Sequence, residues 1–261
     1  MKKCALLVAV SAALSAAPVG NTSAPEIIQQ GLCIPSDSWI AFRVGYEGDF
    51  VADGKMELTG PGSGRVDTYE QWTNSGTFTF NILDRLDVYG VFGASKTHAD
   101  WRYQSADGWV NRIQFGTDNQ FLWAAGSRAI LYQWGHTFLG VGGRYSSCSG
   151  APAWLKANGS HASVAGSQFH WREWQINLDI SYTIHLFTPY IGTKYSNART
   201  RLVDFSVPVS ANGGGNTAFK NRTPVGLYLG CALSSGNYLM INLEGRLIDE
   251  EAVTVSADFR F

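Results

Sequence analysis

The chain has 261 residues, with 20 Lys+Arg against 21 Asp+Glu, a formal net charge of -1. That balance excludes nucleic acid as a main partner, because phosphate binding requires a basic surface. Charged residues make up only 16%, against about 25% in a typical soluble domain. Beside 29 glycines and 13% aromatic residues, this describes a glycine-rich β protein whose outer surface does not face water.

In chain order, Met1, Lys2 and Lys3 form a short positive n-region, and residues 5–14 an apolar core too short to span a bilayer as a helix. The small residues Ser15, Ala16 and Ala17 follow. A signal peptide over 1–16, cleaved after Ala16, is expected. Cys4 lies before the apolar core, too early for a lipidation cysteine. Beyond Leu14 no stretch approaches the ~20 apolar residues of a spanning helix. Residues 17–38 are expected as a periplasmic N-terminal segment, and 39–261 as a β-barrel in the outer membrane.

Period-two alternation dominates the mature part. In the first strand Ile40, Phe42, Val44, Tyr46 and Phe50 share one face, against Ala41, Arg43, Gly45, Glu47 and Asp49. Over 171–182, Trp174, Ile176, Leu178, Ile180 and Tyr182 oppose Glu173, Gln175, Asn177, Asp179 and Ser181. The C-terminus sets Val253, Val255, Ala257, Phe259 and Phe261 against Thr254, Ser256, Asp258 and Arg260. Strands are predicted at 39–51, 69–82, 86–97, 120–133, 137–147, 168–183, 187–200, 223–233, 238–248 and 252–261. Long glycine-rich connections (52–68, 98–119, 148–167, 201–222) alternate with short ones, failing only at the last hairpin, 249–251. If consecutive strands pair antiparallel, all long loops emerge at one end, as in an outer-membrane barrel and unlike a Greek-key sandwich. The expected fold is all-β: a transmembrane antiparallel up-and-down barrel of about ten strands. A hairpin at 109–116 would make twelve. In hydrocarbon a sheet must close to pair every backbone N–H and C=O. Rings at strand ends (Trp39, Tyr46, Phe50, Tyr69, Trp72, Trp171, Trp174, Phe187, Tyr190 and Tyr195) suit the interfacial girdles.

The polar faces name the pore-lining candidates Arg43, Glu47, Asp49, Glu173, Asp179, Lys194, Glu244, Arg246, Asp258 and Arg260. Interleaved signs predict weak ion selectivity, with many charges pairing across the lumen as structure. Barrels of about 8 strands are filled by side chains and open pores typically have 16–18, so ten to twelve leave at most a thin channel. Enzyme chemistry is not expected. His98 and His161, with Asp100 near the first, fall in external loops, but the five histidines show no metal spacing. Ser95 and Ser127 lack a nucleophile elbow, and the glycine runs lack the Lys-Ser/Thr of a phosphate loop. No cofactor and no metal are expected. Cys33, Cys148 and Cys231 remain as disulfide candidates. Cys33 on the periplasmic side and Cys148 at an external loop cannot bridge, because partner Cα atoms lie within about 7 Å.

Several blocks resemble the chlamydial major outer membrane protein family. These are Ala17-Pro18-Val19-Gly20-Asn21, Arg43-Val44-Gly45-Tyr46-Glu47-Gly48-Asp49-Phe50, and Asn81-Ile82-Leu83-Asp84-Arg85-Leu86-Asp87-Val88-Tyr89 with Gly93-Ala94-Ser95. Glu173-Trp174-Gln175, Ser181-Tyr182, Phe187-Thr188-Pro189-Tyr190-Ile191-Gly192 and Arg246-Leu247-Ile248-Asp249-Glu250-Glu251 continue the match, closing in Phe259-Arg260-Phe261. The resemblance implies a porin for passive diffusion of small hydrophilic solutes, which is also a structural component of the envelope. A non-conducting structural or adhesive surface barrel is the alternative. Terminal Phe261 resembles the signal read by the outer-membrane barrel assembly machinery. The resemblance further implies outer-membrane lipid as surroundings, homo-oligomer formation, and disulfides from Cys33 to cysteine-rich envelope proteins; a free Cys33 thiol stays open beside the last. The chain is shorter than the family's principal member, mainly in its loops, and has Trp134, Gly135 and His136 where that protein carries cysteines.

Overall fold

All ten strands predicted from alternation form, most of them longer at the loop end than their patterns suggested. The computed structural model describes residues 18–28, 30–34, 38–59, 64–105, 107–209 and 214–261; the expected signal peptide over 1–16 lies outside them. The ring-forming strands are β1 (Ile40–Gly54), β3 (Gly64–Ile82), β4 (Leu86–Gln104), β6 (Gln120–Trp134), β7 (Thr137–Gly150), β10 (Gln168–Tyr182), β11 (Phe187–Val203), β13 (Val225–Ser234), β14 (Leu239–Leu247) and β15 (Glu250–Arg260). Shorter strands interleave: β2 (Met56–Thr59), β5 (Val110–Thr117), β8 (Pro152–Ala157), β9 (Ser160–Ala162) and β12 (Thr217–Asn221). One helical turn, α1, spans Ala24–Ile27.

Every ring strand pairs antiparallel with its neighbour. The order β3-β1-β15-β14-β13-β11-β10-β7-β6-β4 closes through a β3–β4 pairing. The short strands lie at the long-loop end: β5 pairs the upper half of β4 and then β8, and β12 pairs the top of β11 and then β2. The extra strand weighed at 109–116 therefore exists as β5 but does not join the ring, so the barrel keeps ten strands. At the other end tight turns reverse the chain, with left-handed backbone at Leu83, Asp84, Gly135, His185 and Gly236.

Side-chain parity follows the pleat. Phe78, Phe80, Phe92, Ile176, Leu178, Ile180, Ile191, Leu229, Ile241 and Leu243 are all exposed on the outside. A water-soluble sandwich would bury such residues, whereas a lipid-facing band displays them. Ring pairs bound this band: Trp174 and Tyr195 lie 5.5 Å apart towards the loop end, and Tyr238 and Phe259 6.3 Å apart towards the turn end. Three expected girdle rings point inward instead. Tyr69, Trp171 and Tyr190 are buried inside the barrel, because their parity places them on the lumen face.

Candidate functional site

The lumen is a layered set of buried ion pairs. All ten charged candidates are buried and sit at inward parity. Arg246 of β14 is the hub. Its guanidinium reaches Asp49 at 2.7 Å, Glu250 at 2.9 Å and Glu244 at 3.2 Å. Lys194 meets Asp249 at 3.0 Å and Glu250 more closely. Arg144 clamps Glu47 through both its terminal nitrogens, at 3.1 and 3.0 Å. Asp87 takes Arg128 at 2.7 Å and Arg43. Arg260 pairs with Asp84 at 2.8 Å. The Thr77 hydroxyl reaches Asp258 at 3.4 Å, and Glu173 lies two residues below Trp171 on the same face. Charges taken out of water need such multiple partners, since each desolvated ion otherwise costs several kcal/mol.

Asp87, Arg128, Arg144 and Glu250 belong to these networks and escaped the sequence reading. Arg128 and Arg144 occupy strands whose inward neighbours are largely glycine, alanine and serine. Small residues fit either face, so their parity carries no polarity signal.

Residues 17–38 were expected outside the barrel, but 18–28 run inside it. The lumen charges hold this segment by its backbone. Glu244 accepts the Val19 and Gly20 N–H groups at 3.0 and 2.8 Å. Asp179 accepts the Thr22 N–H at 3.2 Å and its hydroxyl at 2.5 Å, and also the Tyr228 hydroxyl at 2.9 Å. Carbonyls point the other way: Gln175 donates to Pro18 at 2.8 Å, Arg43 to Ala24 at 2.7 Å, Asn81 to Pro25 at 3.1 Å, and Arg260 to Ile28. Ala24 and Ile28 pack on Ala232 and Met240. An irregular segment enclosed by strands must have its backbone groups satisfied, and the lumen's charged and amide side chains supply partners.

The loop end closes differently. Tyr69, Trp101, Phe115, Phe169, Trp171, Leu202 and Phe219 form an apolar cluster completed by Phe205 and Val209 from the connection after β11. Trp101 donates to the Val209 carbonyl at 3.1 Å and Tyr103 to that of Pro208 at 2.8 Å. Beside the plug lies a void of about 40 Å³, lined by Val19, Glu47, Arg144, Asn242, Glu244 and Asp258, room for very few waters. The chain's own residues fill the passage in this conformation.

Cys148 is buried in the cap, Cys231 is half-buried at outward parity between Leu229 and Leu233, and Cys33 is exposed; none is paired within the chain. Of the external polar residues, His98 sits 3.4 Å from Glu70 and against Trp154, while Arg112 clamps Asp100. His161 is exposed on β9.

A closed ring with an apolar outside, aromatic borders and a charged interior defines a transmembrane β-barrel. Residues 151–213 match the family model described as Chlamydia major outer membrane protein. Over its full length the chain is 27% identical to the major outer membrane porin, serovar F, of Chlamydia trachomatis, all of which is covered as well. Identity to the major outer membrane porin of Chlamydia muridarum is 25%, over 96% of each chain. Among solved structures, an outer membrane channel from Pseudomonas putida F1 aligns with TM-score 0.44 and 10% identity, over 95% of this chain and all of that one. The outer membrane protease OmpT of Escherichia coli aligns with TM-score 0.42 and 8% identity, over 85% and 95%. Over its full length the chain is similar to proteins named major outer membrane porin from Chlamydia, and its place is the outer membrane.

Proposed function

We propose that this protein is a porin-like channel for small hydrophilic solutes and a structural part of the cell envelope, with residues 18–28 as the plug that must leave the lumen before solute passes. The observation that carries the reading is full-length similarity to proteins named major outer membrane porin, joined to a lumen whose polar groups bind a displaceable segment. The ten inward charges would line the opened passage. Their mixed signs favour weak selectivity.

Planar-bilayer recording of the purified protein tests this. Discrete conductance steps are expected, with a larger open fraction in a variant carrying Glu244→Gln and Asp179→Asn, which loses two carboxylates that grip the plug. Silence from both proteins, each first shown to be folded by heat-dependent gel mobility, would overturn the channel. The filled lumen and apolar cap favour a second reading in that event: a non-conducting structural barrel.

Three finer assignments accompany the channel. Phe261, whose ring packs on Phe42 and Phe259 at the barrel seam, serves as the handle for barrel assembly. Exposed Cys33 reaches periplasmic thiols of cysteine-rich envelope proteins. Further copies of the chain associate through the lipid-facing surface. No catalytic role is assigned to His98, Asp100 or His161.

A further inference from the structure

Along β10 the apolar face changes sides. From Trp174 to Tyr182 the outward residues are apolar or aromatic and the inward ones polar, as a lipid-embedded strand requires. Above Trp174 the order inverts: Phe169 and Trp171 turn inward while Gln168, His170 and Arg172 turn outward. The same inversion occurs on β11, where Ile191, Thr193 and Tyr195 face out below, and Arg199 and Arg201 face out above. The Trp174–Tyr195 pair therefore marks the outer-leaflet interface. Two residues of strand rise put Arg172 about 7 Å beyond it, at headgroup height.

Five of the outward residues above that line are basic, and register places them opposite one another. Arg172 faces Arg199 and His170 faces Arg201 across β10–β11, and Arg199 faces Lys220 across β11–β12. All five line one cleft of about 490 Å³ that opens on the outside of the barrel. Like charges placed opposite on a sheet face destabilise it, so an accumulation of this kind calls for a counter-charge. Within the cleft the one salt bridge among the described residues is Lys220 to Glu57, 3.0 Å and exposed. Elsewhere at the loop end Arg112 pairs with Asp100, and Arg102 with Asp67. The hydrogen bonds from Arg102 hold the Asp67 carboxyl below its usual range.

We propose that this cleft binds the phosphorylated headgroup of an outer-leaflet lipid, a glycolipid bearing at least one phosphate, whose acyl chains lie along the apolar band below. Guanidinium forks from Arg172, Arg199 and Arg201 match phosphate oxygens bidentately. His170, with Nδ1 held by Ser149 at 3.0 Å, and Lys220 flank them. Continuity with the exposed Ile176, Leu178 and Ile191 surface singles out a lipid over a free anion, because one molecule then covers both the charge and the grease. The site lies on the barrel's outside and stands whether or not the barrel conducts.

The test uses the full mature chain in nanodiscs of phosphatidylcholine, titrated with bisphosphorylated lipid A and followed by native mass spectrometry. Saturable adducts are expected, and lipid A stripped of both phosphates should give none. A variant carrying Arg172→Gln, Arg199→Gln and Arg201→Gln should bind about 100-fold more weakly, from three juxtamembrane cations removed together, while Lys96→Gln on the outside of β4 binds as the parent does. Millimolar inorganic phosphate should not displace the lipid. Equal binding of the dephosphorylated lipid, undiminished binding by the triple variant, or displacement by inorganic phosphate would each overturn the proposal. The comparison of the two lipids needs no variant, so a folding failure in the triple variant leaves the proposal falsifiable.

Discussion

Arg246 illustrates how a residue that reads as pore lining becomes structural once its partners are known. Three carboxylates, Asp49, Glu244 and Glu250, converge on one guanidinium, and Thr254 shares its terminal nitrogen at 2.5 Å. Removing the arginine leaves three buried anions facing one another without the charge that links them. Arg246→Ala is expected to destabilise the folded barrel by about 3–5 kcal/mol, the usual cost of breaking a buried pair from one side. Urea unfolding in detergent, read by heat-dependent gel mobility, measures it. An unchanged midpoint would mean that water enters freely and screens these charges.

The turns carry a different strain. His185, between β10 and β11, holds φ at 51° without being glycine, and Leu83 and Asp84 do the same between β3 and β4. A side chain in the left-handed region costs about 1–2 kcal/mol, because Cβ crowds the following carbonyl. His185 is exposed and makes no side-chain hydrogen bond among the described residues. His185→Gly should therefore stabilise the hairpin by about 0.5–1 kcal/mol, less the larger unfolded-state entropy of glycine. The same urea titration should show a small rise in midpoint, and a fall would mean that the histidine has a partner in the folded protein. Asp84 is unsuitable for this exchange, since its carboxylate holds Arg260.

For the molecule as a whole, the positions of the three cysteines among the described residues decide what kinds of cross-link they can form. Cys148 is sealed in the cap and Cys231 faces lipid, so aqueous disulfide chemistry is left to Cys33. The backbone beside Cys33 is tied to the end of β15, where the Leu32 N–H donates to the Arg260 carbonyl at 3.3 Å. On non-reducing gels of intact envelopes the protein should migrate in high-mass species that collapse to monomer on reduction and are abolished by Cys33→Ser. Monomeric migration without reductant would identify Cys33 as a free thiol.

The barrel and its lumen were legible in the chain because a strand's side chains alternate with a period of two. Once Ile176 or Leu178 is assigned to lipid, Asp179 and Gln175 must point inward. The ring strands and all ten inward charges follow from that periodicity and the loop sorting from connection lengths, whereas only the structure shows that the strand at 110–117 stays out of the ring. The inversion above Trp174 was also written in the residues, but it reads as a membrane boundary only when both sides of the strand are known. The plug was hidden, because residues 18–28 have no period and take their conformation from Glu244, Asp179 and Arg43, which are 19 or more positions away. The apolar cap, the partners of each lumen charge and the row of cations around Arg199 likewise depend on contacts distant in sequence. Periodicity is a local property that the chain states strand by strand, whereas occupancy of an enclosed volume is settled only when every wall is in place.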